Sequence, residues 1–333
     1  MPVTFIGHER HTRYLTKVFD KGSFSHAYLF SGPPHLGKFT LAKILAKAVR
    51  CEQRKQSILE PCAECEGCRR VDAGSDPFLI ILDEQHTLVS KKEERKGIPI
   101  EDIRELKRLF SLASPADMWK ICIMRRAERM SNEAANAFLK LLEEPGERTL
   151  FILTSPHQEL LLPTIVSRAQ TLKFSPLPDN LMRSFLESRG LGNKEKEEIM
   201  LLSLGRPGIL FRLLLEPTYA LERRDQIKEM RKILQRGDAE KNINASRVYI
   251  PSAHVPDAFR YAERIAQDEE TYANAIEYAL YFLREELLRP PHAQKSAERI
   301  KSILDIAHQM ETTNINKRLS LDVIFLEALG AMQ

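Results

Sequence analysis

A short apolar run, His26 to Phe30, breaks at Ser31-Gly32-Pro-Pro-His-Leu-Gly37-Lys38. From Thr40 to Val49 apolar residues then recur at helical spacing, at Leu41, Ile44, Leu45 and Ala48. Strand, glycine loop and helix in that order form a phosphate loop, in which backbone N–H groups and a helix amino terminus cradle an anion and lysine neutralises it. The position after Lys38 should carry Ser or Thr to hold Mg²⁺, and here it is Phe39. Thr40 follows, but one step along a helix turns a side chain by ~100°, so it substitutes poorly without a register shift. A phosphate-loop fold is expected, with Gly32, Gly37, Lys38 and Thr40 as nucleotide-facing candidates, and binding of ATP or ADP stays open.

Four more apolar strand candidates lie downstream: Phe78 to Leu82, Trp119 to Met124, Leu150 to Leu153 and Gln170 to Phe174, with helical stretches between most of them. Such alternation predicts an α/β domain whose parallel five-stranded sheet is sandwiched by helices. After Pro176 and Pro178 helical patterns take over: Asn180 to Ser188, Lys194 to Leu204, Pro207 to Leu215, Ala220 to Leu234, Ala258 to Leu288, Ala293 to Met310 and Arg318 to Leu329. Breaks at Pro176 to Pro178 and at Glu216-Pro217 divide the chain into 1–177, 178–216 and 217–333. Gly237 to Pro256 shows no clear period.

The 333 residues, 43% of them hydrophobic, suffice for two or three domains, and a mean hydropathy of −0.32 is an ordinary soluble balance. No apolar run approaches the ~20 residues of a membrane span, so a cytoplasmic address without membrane contact is expected. A net charge of +4 permits contact with nucleic acid without arguing for it. The mixed-sign run Lys91 to Lys96 reads as a solvated loop.

Cysteine usage is more specific. Cys62-Ala-Glu-Cys65-Glu-Gly-Cys68, with Cys51 upstream, has the spacing of a tetrahedral thiolate site for structural zinc, about 51–68. Short Cys-x2-Cys turns let sulfurs converge on one ion at about 2.3 Å, and Gly67 eases the backbone between the last two. Two disulfides are the weaker alternative, since no signal peptide is recognisable and five cysteines in all fit a reducing interior. The fifth, Cys122, lies in the apolar run Ile121 to Met124 and reads as core.

A phosphate-loop ATPase also needs an Asp-Glu pair at the end of a later strand, and two places compete for it. Ile81-Leu82-Asp83-Glu84 has the right letters, whereas Ile121-Cys-Ile-Met124-Arg125-Arg126-Ala127-Glu128-Arg129-Met130 has the right surroundings. Four downstream segments favour the second: Ala134-Ala-Asn136-Ala-Phe-Leu-Lys140, Leu141-Leu-Glu143-Glu144-Pro145, Phe151-Ile-Leu-Thr154-Ser155 and Val166-Ser167-Arg168. With these, His26-Ala27-Tyr-Leu-Phe30, the cysteine insertion, Ile100-Glu-Asp-Ile-Arg104, Gly205-Arg206-Pro207-Gly208 and Asn314-Ile-Asn316-Lys-Arg-Leu319, the chain resembles the clamp-loader AAA+ family of DNA replication nearly end to end. The likeness is nearest to the delta-prime branch found in bacterial DNA polymerase III.

That resemblance implies an AAA+ domain over 1–177, a helical lid over 178–216 and an all-α collar over 217–333 through which subunits assemble. Apolar spacing in the collar region, such as Ile276, Ala279 and Leu283, reads by itself as core. By position, Arg125 and Arg126 stand where an active clamp-loader ATPase has its Mg²⁺-binding Asp and catalytic Glu. A charge reversal beside a divalent ion costs on the order of several kcal/mol even at an effective dielectric near 20. Asp83-Glu84 then reads as an acidic pair at an earlier strand end. Arg168 matches the arginine finger that this family supplies in trans to ATP on a neighbouring subunit, in a motif lacking only its cysteine, here Ala169. Thr154 matches the phosphate-sensing position and Arg206 the sensor arginine of the lid. The implied partners are gamma/tau and delta subunits, the sliding clamp and primed DNA within a hetero-oligomer, and the implied role is noncatalytic. Two rivals are an active ATPase of the gamma/tau type and an autonomous zinc-dependent DNA-binding module. Whether the zinc module staples itself or binds a partner is open.

Overall fold

A computed structural model of the chain describes residues 5–53, 60–84, 86, 88–89, 97–112, 118–236, 255–287, 293–312 and 315–329. The run Lys91 to Lys96 and all but the last two residues of Gly237 to Pro256 lie outside them. The chain divides into two compact units, Met1–Phe211 and Arg212–Gln333.

The first unit is built on five strands: β1 (Ala27–Ser31), β2 (Leu79–Leu82), β3 (Lys120–Met124), β4 (Thr149–Ser155) and β5 (Gln170–Lys173). Their order in the sheet is β2-β3-β4-β1-β5, and every pairing is parallel. The central strands β1 and β4 are covered on both faces, which is why their runs are fully buried, whereas the edge strand β5 exposes Gln170 and Lys173. Tyr28, Phe30, Ile121, Ile123, Leu150 and Ile152 face α1 (Glu9–Asp20) and α2 (Lys38–Arg50), meeting Leu15, Leu41 and Leu45. Ala27, Leu29, Cys122, Met124, Phe151 and Leu153 pack on the opposite side with Ile103 and Leu106 of α4 (Ile100–Ser111), Phe138 and Leu142 of α5 (Asn132–Glu143), and Ile165 of α6 (Pro163–Arg168). A short helix, α3 (Glu66–Ala73), precedes β2.

Ser131 starts α5 by accepting the Ala134 N–H at 3.1 Å, after a short turn of helix at Ala127–Arg129 that follows β3. Asp102, buried in the first turn of α4, accepts the N–H groups of Leu88 and Val89 at 3.0 and 3.1 Å. That contact gives the Ile100 to Arg104 motif a local task. The five expected strands appear in the sheet with ends shifted by at most two residues, and Cys122 is core as expected. Beyond β5 the unit continues into α7 (Asp179–Glu187), α8 (Asn193–Ser203) and α9 (Pro207–Leu215), which crosses into the second unit.

The second unit is helical: α10 (Pro217–Arg236), α11 (Val255–Ile265), α12 (Glu269–Leu287), α13 (Ala293–Thr312) and α14 (Lys317–Leu329). The single helix expected over Ala258 to Leu288 is two helices. Asp268 caps the second by accepting the Thr271 N–H at 2.9 Å, which ends one periodic run and starts another. Ile276, Ala279 and Leu283 are core, and the buried Arg223 lies between tyrosines, its guanidinium carbon 5.2 Å from the Tyr278 ring and 5.8 Å from that of Tyr219. No helix of the described residues is long and apolar enough to cross a membrane.

Candidate functional site

In a parallel sheet the loops after the strands share one edge, and ligands bind there. Ser31, the segment after Leu82, Arg125, Ser155 and Lys173 mark that edge here. Gly32 leaves β1 at φ 135, and a Cβ on it would sit 2.2 Å from the Phe174 carbonyl oxygen, so the loop passes the end of β5 only as glycine. Gly37 precedes α2 at φ 85. Lys38 opens the helix and is buried, its Nζ donating to the carbonyls of Gly32 and, at 2.6 Å, Pro33. Burial pushes Lys38 down to about 8, the Glu128 carboxylate opposes that shift, and the Arg206 guanidinium adds to it.

Of the other phosphate-loop candidates, Arg206 is close enough to act on the charge of this lysine. Thr154 is buried on β4 beside Phe30 of β1. Arg206 is buried at the start of α9, where Gly208 donates its N–H to the His35 carbonyl of the loop at 2.8 Å. Gly205 and Gly208 would each place a Cβ 2.8 Å from a carbonyl oxygen, of Leu177 and His35 respectively, so both glycines are needed for this close approach. Helix α2 runs regularly from Lys38, with the Leu41 N–H bonded to the Gly37 carbonyl at 2.8 Å, and the register shift that Thr40 would need is not present.

Strands β2 and β3 are neighbours paired Leu82 to Met124, which brings together the two places that compete for the acidic pair. Arg125 Nη1 donates to Asp83 Oδ2 at 2.9 Å, and the same guanidinium lies over the Phe39 ring, 4.6 Å from its centroid. The other Asp83 oxygen accepts from the His86 backbone N–H at 2.6 Å and lies 2.8 Å from its Nδ1. Arg126, in the left-handed region at φ 50, places Nη1 3.6 Å from Glu84 Oε1 and Nε 3.5 Å from Glu128 Oε1, while Arg129 Nε is 3.3 Å from Glu84.

Two residues at this site escape a reading of the sequence. Glu128 has a side chain only 4% exposed, with no hydrogen bond to either carboxylate oxygen among the described residues. Its only sequence signal is an acid flanked by Arg125, Arg126 and Arg129. His8 places Nε2 3.1 Å from the Leu36 carbonyl, and burial pushes it down to about 4, so a neutral ring donates to the loop. Arg168 is elsewhere: it ends α6 at the amino end of β5, whereas the phosphate loop follows the carboxyl end of β1. Its Nη2 lies 2.8 Å from Glu143 Oε1 and its Nη1 donates to the Thr164 carbonyl at 3.1 Å.

The cysteine cluster closes a second centre between α2 and α3. The sulfurs of Cys51, Cys62, Cys65 and Cys68 all lie within 4.8 Å of one another, and those of Cys62 and Cys68 are 3.9 Å apart. Four thiolates about 2.3 Å from one ion would be about 3.8 Å apart, so the set fits tetrahedral zinc. Backbone N–H groups of Cys62, Cys65 and Cys68 point at the sulfurs of Cys51, Cys62 and Cys65 at 3.3, 3.3 and 3.5 Å. Backbone donors at Glu64 and Cys65 pull the Cys62 thiol down to about 6, toward the thiolate that a metal takes, whereas burial pushes Cys51 and Cys68 up. A Cβ on Gly67 would lie 2.2 Å from the Arg50 carbonyl oxygen, so the module fits against the end of α2 through a glycine. Beside it Arg50 Nε donates to Asp76 Oδ2 at 2.7 Å in a buried ion pair.

Among known proteins, a family model described as DNA polymerase III, delta subunit matches residues 7–178. The tau subunit of Bacillus subtilis DNA polymerase III is 30% identical over 314 residues, 92% of this chain and 52% of that protein. The delta' subunit of the same organism is 34% identical over 165 residues, 50% of this chain and 46% of that protein. The chain thus spans about half the length of these curated relatives. A solved DNA polymerase III gamma subunit-related protein of Thermotoga maritima aligns over 96% of this chain and 98% of its own at 20% identity, with a TM-score of 0.42. By the match over half its length, the chain belongs to the clamp-loader AAA+ family of DNA polymerase III.

Proposed function

We propose that this chain is a noncatalytic clamp-loader subunit of the delta-prime type. It packs beside ATP-hydrolysing gamma/tau subunits and delta, completes one of their sites with Arg168, and helps place the sliding clamp on primed DNA in the cytoplasm. Residues 178–216 act as its lid and 217–333 as the collar through which it assembles.

One observation carries the noncatalytic part: Arg125 stacks on Phe39 and pairs with Asp83. A phosphate-loop ATPase holds Mg²⁺ between a hydroxyl after the lysine and a carboxylate at this strand end, and here an aromatic ring and a guanidinium take both places. Asp83, the carboxylate after β2, is occupied by Arg125 and His86. These residues do not fit a divalent ion. They do fit phosphate, through the loop N–H groups, Lys38 and Arg206, once Lys38 leaves the carbonyls it holds. Zinc at Cys51, Cys62, Cys65 and Cys68 would supply cross-linking rather than reactivity, since four thiolates leave no open position.

The active-ATPase alternative draws on the buried Asp83 and on the tau relative that aligns with most of this chain. Steady-state hydrolysis by the purified chain, with and without primed DNA, separates the two. We expect background rates. Turnover that vanishes in Lys38→Ala would assign the acidic role to Asp83 and Glu84 and contradict the proposal.

A further inference from the structure

Arg168 is tied to its own chain at two nitrogens before any partner is present. Nη1 donates to the Thr164 carbonyl at 3.1 Å, one turn back in its own helix, and Nη2 lies 2.8 Å from Glu143 Oε1 in the last turn of α5. The two side chains are 37% and 48% exposed, so as an ion pair they contribute little to folding. The effect that remains is orientational. A free arginine loses much rotamer freedom on docking, whereas one already held has less to lose, and the guanidinium has five N–H donors, enough to keep both tethers and still face outward.

We propose that Glu143 is a positioning residue, which presets the Arg168 guanidinium for entry into the ATP site of a neighbouring subunit. This rests on the reading of Arg168 as a finger. A negative charge beside the finger does not favour a phosphoryl group, so what Glu143 offers is an acceptor at the right reach, not its charge. Glutamine keeps an oxygen acceptor there and should substitute, whereas alanine removes the tether.

The test uses complexes reconstituted from the full chain and its cognate ATPase subunits, with assembly checked by gel filtration and kcat and KM measured for ATP with Mg²⁺. The chains compared are native, Glu143→Ala, Glu143→Gln, Arg168→Ala and the Glu143→Ala/Arg168→Ala double variant. Glu143→Ala should lower kcat about threefold to tenfold at unchanged KM, the range expected when part of an arginine's rotamer freedom must be lost again on docking. Glu143→Gln should stay within about twofold of native, and Glu143→Ala should add nothing to Arg168→Ala, because the two act as one unit. A native rate for Glu143→Ala beside a slow Arg168→Ala would overturn the positioning role and leave the finger standing. So would a further loss in the double variant, or faster turnover in both Glu143 variants, which would make the carboxylate a brake. A native rate for Arg168→Ala in an intact assembly would remove the finger itself, and this inference with it.

Discussion

Lys38 holds a charge that its surroundings disfavour. Its burial costs the ammonium more than Glu128 returns, and the two loop carbonyls are its immediate partners. Because the folded value, about 8, lies below the ordinary 10.5, folding favours the neutral amine, and this residue's contribution to stability grows as pH climbs from about 8 toward 10.5. Pulse acetylation followed by mass spectrometry, normalised at high pH, should give Lys38 a reactivity midpoint near 8. A midpoint near the ordinary lysine value of about 10.4 would contradict the burial described here. Saturating ADP, if its phosphates meet this lysine, should move that midpoint upward, since an anion favours the charged form. At this scale the sequence is informative about identity and poor about partnership. Phe39, Arg125 and Asp83 each stand out in the chain, but the contact that joins them depends on which strands are neighbours, and pattern alone does not give that order. Glu128 is hidden for the same reason, because only folding buries it beside Lys38.

The described part of the segment joining α2 to β2 is held by the cysteine cluster, the Gly67 contact, the Arg50 to Asp76 pair and the Lys47 to Asp72 pair. Removing one thiolate leaves three ligands and an open position, so Cys65→Ser should release zinc and loosen the chain between α2 and β2. Elemental analysis of chelator-free protein with hydrogen exchange checks this. Substoichiometric zinc in the native protein, with all four thiols free, would remove the metal from the account. Gly67→Ala would drive a methyl group against backbone rather than a flexible side chain, and should cost about 1–3 kcal/mol, read as a lower unfolding midpoint with zinc still bound. An unchanged midpoint would show that α3 can shift at no cost. Strands β1, β3 and β4 are legible because burial on both faces forces apolar runs, and the cysteine centre because its ligands are close in sequence. The break between α11 and α12 stays hidden because apolar spacing continues across it. Asp268, which makes the cap, is a local signal that period counting passes over.

Over the whole chain, family membership is carried by the match over residues 7–178, while the relatives are about twice as long as the aligned portion or share only half of this chain. That match names a family and leaves the role to be tested. Arg168 and Glu143 both stand in short sequence motifs, yet only the turn that brings α6 against the end of α5 reveals their contact. The role depends on what Arg168 does outside its own chain. An arginine finger supplied in trans is worth ~10³ to 10⁵ in rate in well-studied GTPases, and a whole loader should lose less, because its other sites keep their own arginines. Lysine should restore little, since an ammonium cannot make the planar two-pronged contact. The decisive measurement is ATP hydrolysis and clamp loading by reconstituted complexes carrying arginine, alanine or lysine at position 168, with assembly confirmed by gel filtration. Intact assembly with severalfold slower hydrolysis, for alanine and lysine alike, is the predicted result. Full activity in an assembled Arg168→Ala complex would contradict it and leave this subunit a passive spacer.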